Sequence, residues 1–488
     1  MIAEFLVVSG WTIAGAVMLH SVGLRDWSVW PLGLVTGLAL YFSLGALQVA
    51  TPLPDHPAVA YAGTLAAAAA FACWRAPRLR DALPHWRSGA VAGAGIAAVV
   101  MVTRTVHIVR WHVDTFEYFK VAALMTQGHL DDGTFIDALD KRLLGVPMMH
   151  APALWWDEWY LRSVTPLVGI ACLTIVVWVV HQGVRGSLGQ RLGWVVPVLA
   201  GLALALTNRF QFHALYLNGH LLAATFLVAL VGCAWLYLDS AGVPEPALIA
   251  VVMAASAGLV VTRPEGGLLA GLALVSFVVS DGVTRRHRAL TLLALGLAVS
   301  TWHGYAAVAQ ARLFDHTPAT SLAYAVVGAG VVAVGLLVAA GWSTPLVPWL
   351  PGAFEASLWL GLLALVVHDA EIFLESAPAI LAMYTPIETA WGGSLFAFYA
   401  ASLLVLWRMR FIHQRVLRYP WSTFVVLALV LAYARDGRYH GGSFDSLIRM
   451  FIEVVPVMVV FIAIGMVRGV PRDVGSASAT VVAAPSRA

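Results

Sequence analysis

The chain has 488 residues, 60% of them hydrophobic and 11% charged, with a mean hydropathy of +0.83 and a formal net charge of +3. Soluble domains lie near roughly 45–50% apolar and about 25% charged. The composition therefore excludes a soluble enzyme, a disordered chain, a disulfide scaffold and a nucleic-acid-binding domain, and leaves an all-α polytopic integral membrane protein.

A helix needs roughly 20 mostly apolar residues to cross a bilayer. In chain order, apolar runs predict the first spans at 2–20, 29–49, 58–74 and 89–106. The first holds Glu4 and has no basic residue ahead of it, so it reads as a span and not as a cleaved leader. A long connection, 107–163, follows. Connections beyond about 15 residues usually carry structure of their own. Here Val113 to Met125 reads as an amphipathic helix at the membrane interface, ended by Gly128, and Ala153 to Tyr160 reads as an aromatic belt. Further spans are predicted at 164–181, 193–206, 219–238, 246–261, 266–280, 289–309, 321–341, 353–367, 390–407, 421–434 and 446–467, for roughly 13–15 in all. Cys73, Cys172 and Cys233 fall in apolar runs without metal-site or disulfide spacing and read as small buried hydrophobes.

Basic residues orient the chain. Arg75, Arg78, Arg80 and Arg87 crowd one connection, Arg285, Arg286 and Arg288 a second, and Arg408, Arg410, Arg415 and Arg418 a third. Arg185, Arg191, Arg468, Arg472 and Arg487 fall on the same side, which is then cytoplasmic. The N-terminus and the 107–163 connection lie outside in this scheme. Most acidic residues gather there too, with His107, His112, His129, His150, His213, His316, His368 and His440. Polar chemistry at one face of a helical bundle marks where it works. The expected organisation is N-terminal helices over 1–88, a main transmembrane module over 89–467, and a disordered cytoplasmic tail over 468–488.

Four outer clusters carry candidate chemistry. Asp114 and Glu117 stand one helical turn apart, placed for a general base or metal ligands; the same Asp-x-x-Glu spacing is also that of a capping box. In Thr262-Arg-Pro-Glu-Gly266, Pro264 suits the first turn of the next helix, and Arg263 needs an anionic partner, either Glu265 or a ligand phosphate. In the last outer loop, Arg435, Arg438 and Arg449 stand beside Tyr439, His440 and a glycine pair, a composition that suits phosphate. Asn208 to His220, with Tyr216 and Asn218, offers hydrogen-bonding groups for sugar hydroxyls. A weaker acidic stretch holds His368, Asp369, Glu371, Glu375 and Glu388.

Asp114-x-x-x-Tyr118-x-x-x-Ala122-x-x-x-x-x-Gly128 resembles the first-outer-loop motif of the C-type glycosyltransferase (GT-C) superfamily. Thr262-Arg-Pro-Glu-Gly266 is similar to an Arg-Pro-Glu-Gly turn in a bacterial branch of it, and Gly441-Gly-Ser-Phe-Asp-Ser-Leu-Ile-Arg449 with Pro456 resembles that branch's late signature. Ser443 stands where an Asp is common, and the first motif follows the fourth span, not the first. The resemblance implies a GT-C-like bundle in the plasma (inner) membrane that transfers a sugar, with inversion, from a polyprenyl-phosphate donor. The acceptor is an extracytoplasmic glycan, lipid or protein, and membrane lipids are the other partners; no nucleic acid is involved. It implies Asp114 as base with Glu117 beside it, and Arg263, Arg435, Arg438 and Arg449 on the donor phosphate. Asn218, His220, Tyr439 and His440 fall to the sugar or acceptor; Asp114 and Glu117 are the candidate ligands for a divalent cation (Mg or Mn), whose use the departures leave open. The alternatives are a transporter or flippase, or a polymerase or ligase, for polyprenyl-linked glycans; a mid-membrane polar site would mark the transporter.

Overall fold

A computed structural model describes residues 1–51, 56–75, 86–106, 113–128, 143–187, 192–239, 242–314, 319–342, 349–371, 373–374, 391–409, 415–436 and 449–468. Among these residues every regular element is a helix. Each of the fifteen predicted spans overlaps a helix. Ten helices are long and apolar enough to cross a membrane, consistent with a multi-pass membrane protein. Three more, Gly266–Val278, Ser394–Arg408 and Val455–Arg468, are apolar but shorter, and Gly193–Ala205 with Asn208–Ala214 forms a pair bent by 76°.

The helix His220–Leu238 is apolar all round and buried along its whole length. Such a helix suits only the centre of a bundle. Val164–Val184, Glu245–Thr262 and Val29–Ala50 surround it, and Phe42 meets Phe226 edge-on with ring centroids 6.2 Å apart. One apolar core runs from Val7 to Ile464, so the first two helices are built into it. Ile2–Ser21 and Val29–Ala50 touch backbone to backbone: a Cβ on Gly15 would stand 2.0 Å from the Gly33 carbonyl oxygen, and one on Gly37 2.0 Å from that of Trp11. Small residues permit that approach where lipid offers no hydrophobic drive between helices. By contrast, Ala319–Ala339 and Leu350–His368 expose Val326, Val327, Leu360, Leu363 and Val367, apolar surface suited to acyl chains.

Among the described residues, the ion pairs between side chains fall at the two ends of the bundle. At the end expected outside, here the upper end, Glu4 is fully buried. Its Oε2 accepts from Arg104 Nε at 2.6 Å, and its Oε1 accepts from the Ser163 amide and hydroxyl at 2.7 Å each. Arg104 also pairs with Glu158. At the lower end, Trp178 Nε1 donates to Asp26 at 2.9 Å, Arg418 grips Glu355 through both terminal nitrogens, and Arg468 reaches Asp239 and the Gly183 carbonyl. This segregation is consistent with long apolar helices that alternate in direction along the chain.

The structure revises several expectations. Cys73 is exposed; only Cys172 and Cys233 are buried. The last span begins at Val455, because Phe451–Glu453 forms a 3-10 turn ahead of it, with Pro456 near the helix start. The helix after the Arg263 turn starts at Gly266, which leaves Pro264 ahead of it and Glu265 at its N-cap. The 107–163 connection contains the expected helix, Val113–Thr126. Its buried face, with Thr115, Tyr118, Phe119, Val121, Ala122 and Met125, rests on the turns Gly145–His150 and Ala151–Trp156, while Phe116, Glu117 and Lys120 are exposed. The aromatic belt is partly internal: Trp155 packs on Tyr61, and only Trp159 is fully displayed. Residues 469–488, the expected tail, lie outside the described residues.

Candidate functional site

Helix 245–262 ends as Arg263 turns to extended backbone, φ −136° and ψ 141°. That turn throws the Arg263 side chain across Gly219, where an added Cβ would stand 3.4 Å from its Cδ. The guanidinium meets two carboxylates. Nε and Nη2 donate to Glu265 Oε1 at 3.0 and 2.6 Å, and Nε lies 3.2 Å from Glu453 Oε1. Nη1 has no hydrogen-bond partner among the described residues.

Glu453 is the centre of the cluster. It is fully buried, and its Oε1 also lies 2.8 Å from His220 Nδ1. Its Oε2 is buried with no partner among the described residues. His220, at the start of the central helix, is fixed from the other side: its amide donates to Asn218 Oδ1 at 3.0 Å, and Asn218 Nδ2 lies 3.0 Å from His213 Nδ1. With Asn218 donating there, the His213 ring proton sits on Nε2, which is buried and unpartnered among the described residues. The charges of Arg209, Arg449 and Arg263 all act on His213, and Arg449 Nη1 donates to the Tyr216 hydroxyl at 3.4 Å.

Burial raises the Glu453 carboxyl well above the usual carboxylate range; Arg263 opposes the shift and Glu265 adds to it. Burial alone would lower Arg263, but Glu265 and Glu453 more than offset it and hold the guanidinium charged. The result is a cationic pocket wall of Arg263, Arg449 and Arg209 around one buried carboxyl group whose proton affinity is raised. Such a wall can bind an anion, and the acid and the imidazoles beside it can hand protons over at fixed positions.

Helix 113–126 closes onto this cluster. Tyr118 lies within electrostatic range of Arg263, Thr115 Oγ1 donates to the Leu217 carbonyl at 3.4 Å, and Gly145 presses on Thr262, with an added Cβ only 2.6 Å from its Oγ1. On the same helix Phe119 stacks on Tyr160 at 5.5 Å, beside His150. His150 is buried, which pulls its imidazole down to about 3, so it is neutral and accepts from the Leu161 amide at 3.3 Å.

The structure therefore brings Arg263, Arg449, Asn218 and His220 together. Asp114 stands in the first turn of helix 113–126, inside the helix and not ahead of it as an N-cap would be, and an acid there also favours the helix dipole. The Asp114 side chain is not among the described ones. Glu117 is exposed. Arg435 belongs to helix 415–436, but its side chain is outside the described set, as are Arg438, Tyr439 and His440 entirely. Glu375 and Glu388 of the acidic stretch lie outside it too, and Asp369 and Glu371 are exposed or partly so. Among the described residues no group of three or more metal-ligating side chains converges. Compared with known protein families, curated proteins and solved structures, the chain matches none.

Sequence reasoning missed Glu453, and Arg209 as a third cation. The signal for Glu453 was a lone acid inside an apolar run, three residues before Pro456. An acid in such a run is costly unless it is paired and used.

Proposed function

We propose that the protein is a membrane glycosyltransferase that moves a sugar from a polyprenyl-phosphate donor to an acceptor on the extracytoplasmic side. The observation that carries this reading is the convergence of Arg263, Arg449, His220, Asn218 and Glu453 at one end of an apolar bundle, beneath the helix that bears Asp114. A lipid-linked sugar phosphate has an apolar tail, an anionic phosphate and a polar sugar. A cationic site at the end of apolar helices answers all three.

In this reading Asp114 takes the proton of the acceptor hydroxyl as its oxygen attacks the anomeric carbon from the face opposite the phosphate. The bond from that carbon to the phosphate oxygen breaks with its electron pair, and polyprenyl phosphate leaves with one more negative charge. Arg449 and the Nη1 edge of Arg263 neutralise that charge where it develops. Glu453 and Glu265 hold Arg263 in place, and Asn218 holds His220 toward the site. The polar groups sit at the bundle's end and not midway along it, which favours transfer at a surface over transport through the bundle.

The test is transfer from a radiolabelled polyprenyl-phosphate sugar in membranes. Asp114→Asn keeps the size and the polar group at the helix start but removes the proton affinity. It should reach the membrane, bind donor and transfer sugar at least about a hundredfold more slowly, within the range for a positioned base. Arg449→Ala should lose rate chiefly at low donor concentration and regain part of it at high concentration. Near-normal transfer by well-folded Asp114→Asn would remove the base assignment.

A further inference from the structure

The lower end of the bundle holds a second polar site, far from the Arg263 cluster. A cleft of about 340 Å³ is lined by Trp235, Asp239, Ser276, Asp281, Pro351 and Arg415, among others. Its walls are helix ends of opposite sense. Helices 220–238 and 266–278 finish there, with Asp239 and Asp281 just past their last turns. Helices 350–368 and 415–436 begin there, with Arg415 as the first residue of the latter. Helix C-termini carry partial negative charge and N-termini partial positive charge, so the side chains reinforce the backbone on each wall.

The charges on these walls are not equivalent. Asp239 is committed to Arg468, whose guanidinium also lies over the Trp235 ring at 5.1 Å. Asp281 and Arg415 are both exposed, and among the described residues no salt bridge joins either to any group, nor one to the other. Ser276, which lines the same cleft, is buried to 6% exposure, and its hydroxyl has no partner among the described residues. Two opposite charges thus line one cleft, with a spare hydroxyl on the wall that carries Asp281.

We propose that this cleft binds the headgroup of an aminophospholipid, with the ammonium toward Asp281 and the phosphate toward Arg415 and the two helix N-termini. A zwitterion satisfies both walls at once, where a simple anion or cation would satisfy one and be repelled by the other. A lipid is its source because the cleft opens at the ends of helices whose length and apolarity fit a bilayer, the level at which headgroups lie. The proposal rests on membrane insertion and is independent of the glycosyltransferase reading.

The test uses delipidated full-length protein in maltoside micelles, titrated with phosphatidylethanolamine, phosphatidylcholine or phosphatidylglycerol, with bound lipid counted by native mass spectrometry. Phosphatidylethanolamine should bind about tenfold more tightly than the other two, since methylation removes the ammonium donors and the glycerol headgroup has none. Asp281→Asn and Arg415→Gln, both exposed positions, should each weaken that binding about tenfold while leaving the unfolding temperature of the lipid-free protein unchanged. Equal binding of the three lipids overturns the proposal, as does unchanged binding in both variants. Displacement of the lipid by equimolar glycerophosphoethanolamine overturns the lipid source and assigns the cleft to a soluble zwitterion.

Discussion

Replacing Glu453 and Arg263 in turn separates a buried acid from a buried ion pair. In Glu453→Gln the amide oxygen can take the Oε1 place, facing His220 at 2.8 Å and Arg263 at 3.2 Å, while its NH₂ occupies the Oε2 place, which has no partner among the described residues. The cost is one unsatisfied buried donor, about 1 kcal/mol. Arg263→Met instead leaves Glu265, 6% exposed, without its cation beside a second buried carboxyl group. Breaking a buried pair by removing one partner costs about 3–5 kcal/mol. Unfolding in mixed micelles, followed by the fluorescence of the 19 tryptophans, reads both changes. The pH dependence gives an independent sign. The folded-state value of Glu453 is raised above its ordinary 4.5, so the native state binds the proton more tightly than the unfolded chain does. The stability contributed by protonated Glu453 is fully present below 4.5 and is lost as pH rises through the raised value. Glu453→Gln does not titrate. It should therefore be the less stable protein at low pH and gain on the wild type as pH rises. Two results would refute the reasoning: a Glu453→Gln cost at neutral pH equal to that of Arg263→Met, or a wild-type-to-Gln difference that does not change with pH.

Two further predictions address the fold. Gly37→Ala places a methyl 2.0 Å from the Trp11 carbonyl oxygen and should destabilise the protein by about 2–3 kcal/mol, whereas Gly93→Ala, with open space around it in helix 86–105, should stabilise it by about 0.5–1 kcal/mol; the same micelle unfolding compares them. In a chain stripped of Cys73, Cys172 and Cys233, Trp159→Cys on intact cells should react with a membrane-impermeant thiol reagent and Arg75→Cys should not. The reverse pattern would invert the orientation and move the Arg263 cluster to the cytoplasmic side.

The sequence by itself determined the helical class and where along the chain the apolar helices fall. Runs of apolar residues separated by arginine-rich or histidine-rich connections have few physical solutions, because a backbone in lipid must satisfy its hydrogen bonds within each helix. For the same reason Val113–Thr126 was legible inside a long connection, and the Arg263 turn as a polar break between two apolar helices. The partners were not legible. Apolar residues carry no address, so nothing in the local pattern said that Glu4 would meet Arg104 and Ser163, or that His220 and Arg263 would share Glu453 across 233 and 190 positions of chain. Nor did composition distinguish the central helix 220–238 from the outer helix 319–339; both are strongly apolar along their length, yet the first is buried and the second largely exposed. Which face meets which neighbour is set by shape, as at Gly15 against Gly33, and by the few buried charges that must find one another. Those are properties of the assembled bundle, and only the tertiary structure decided them.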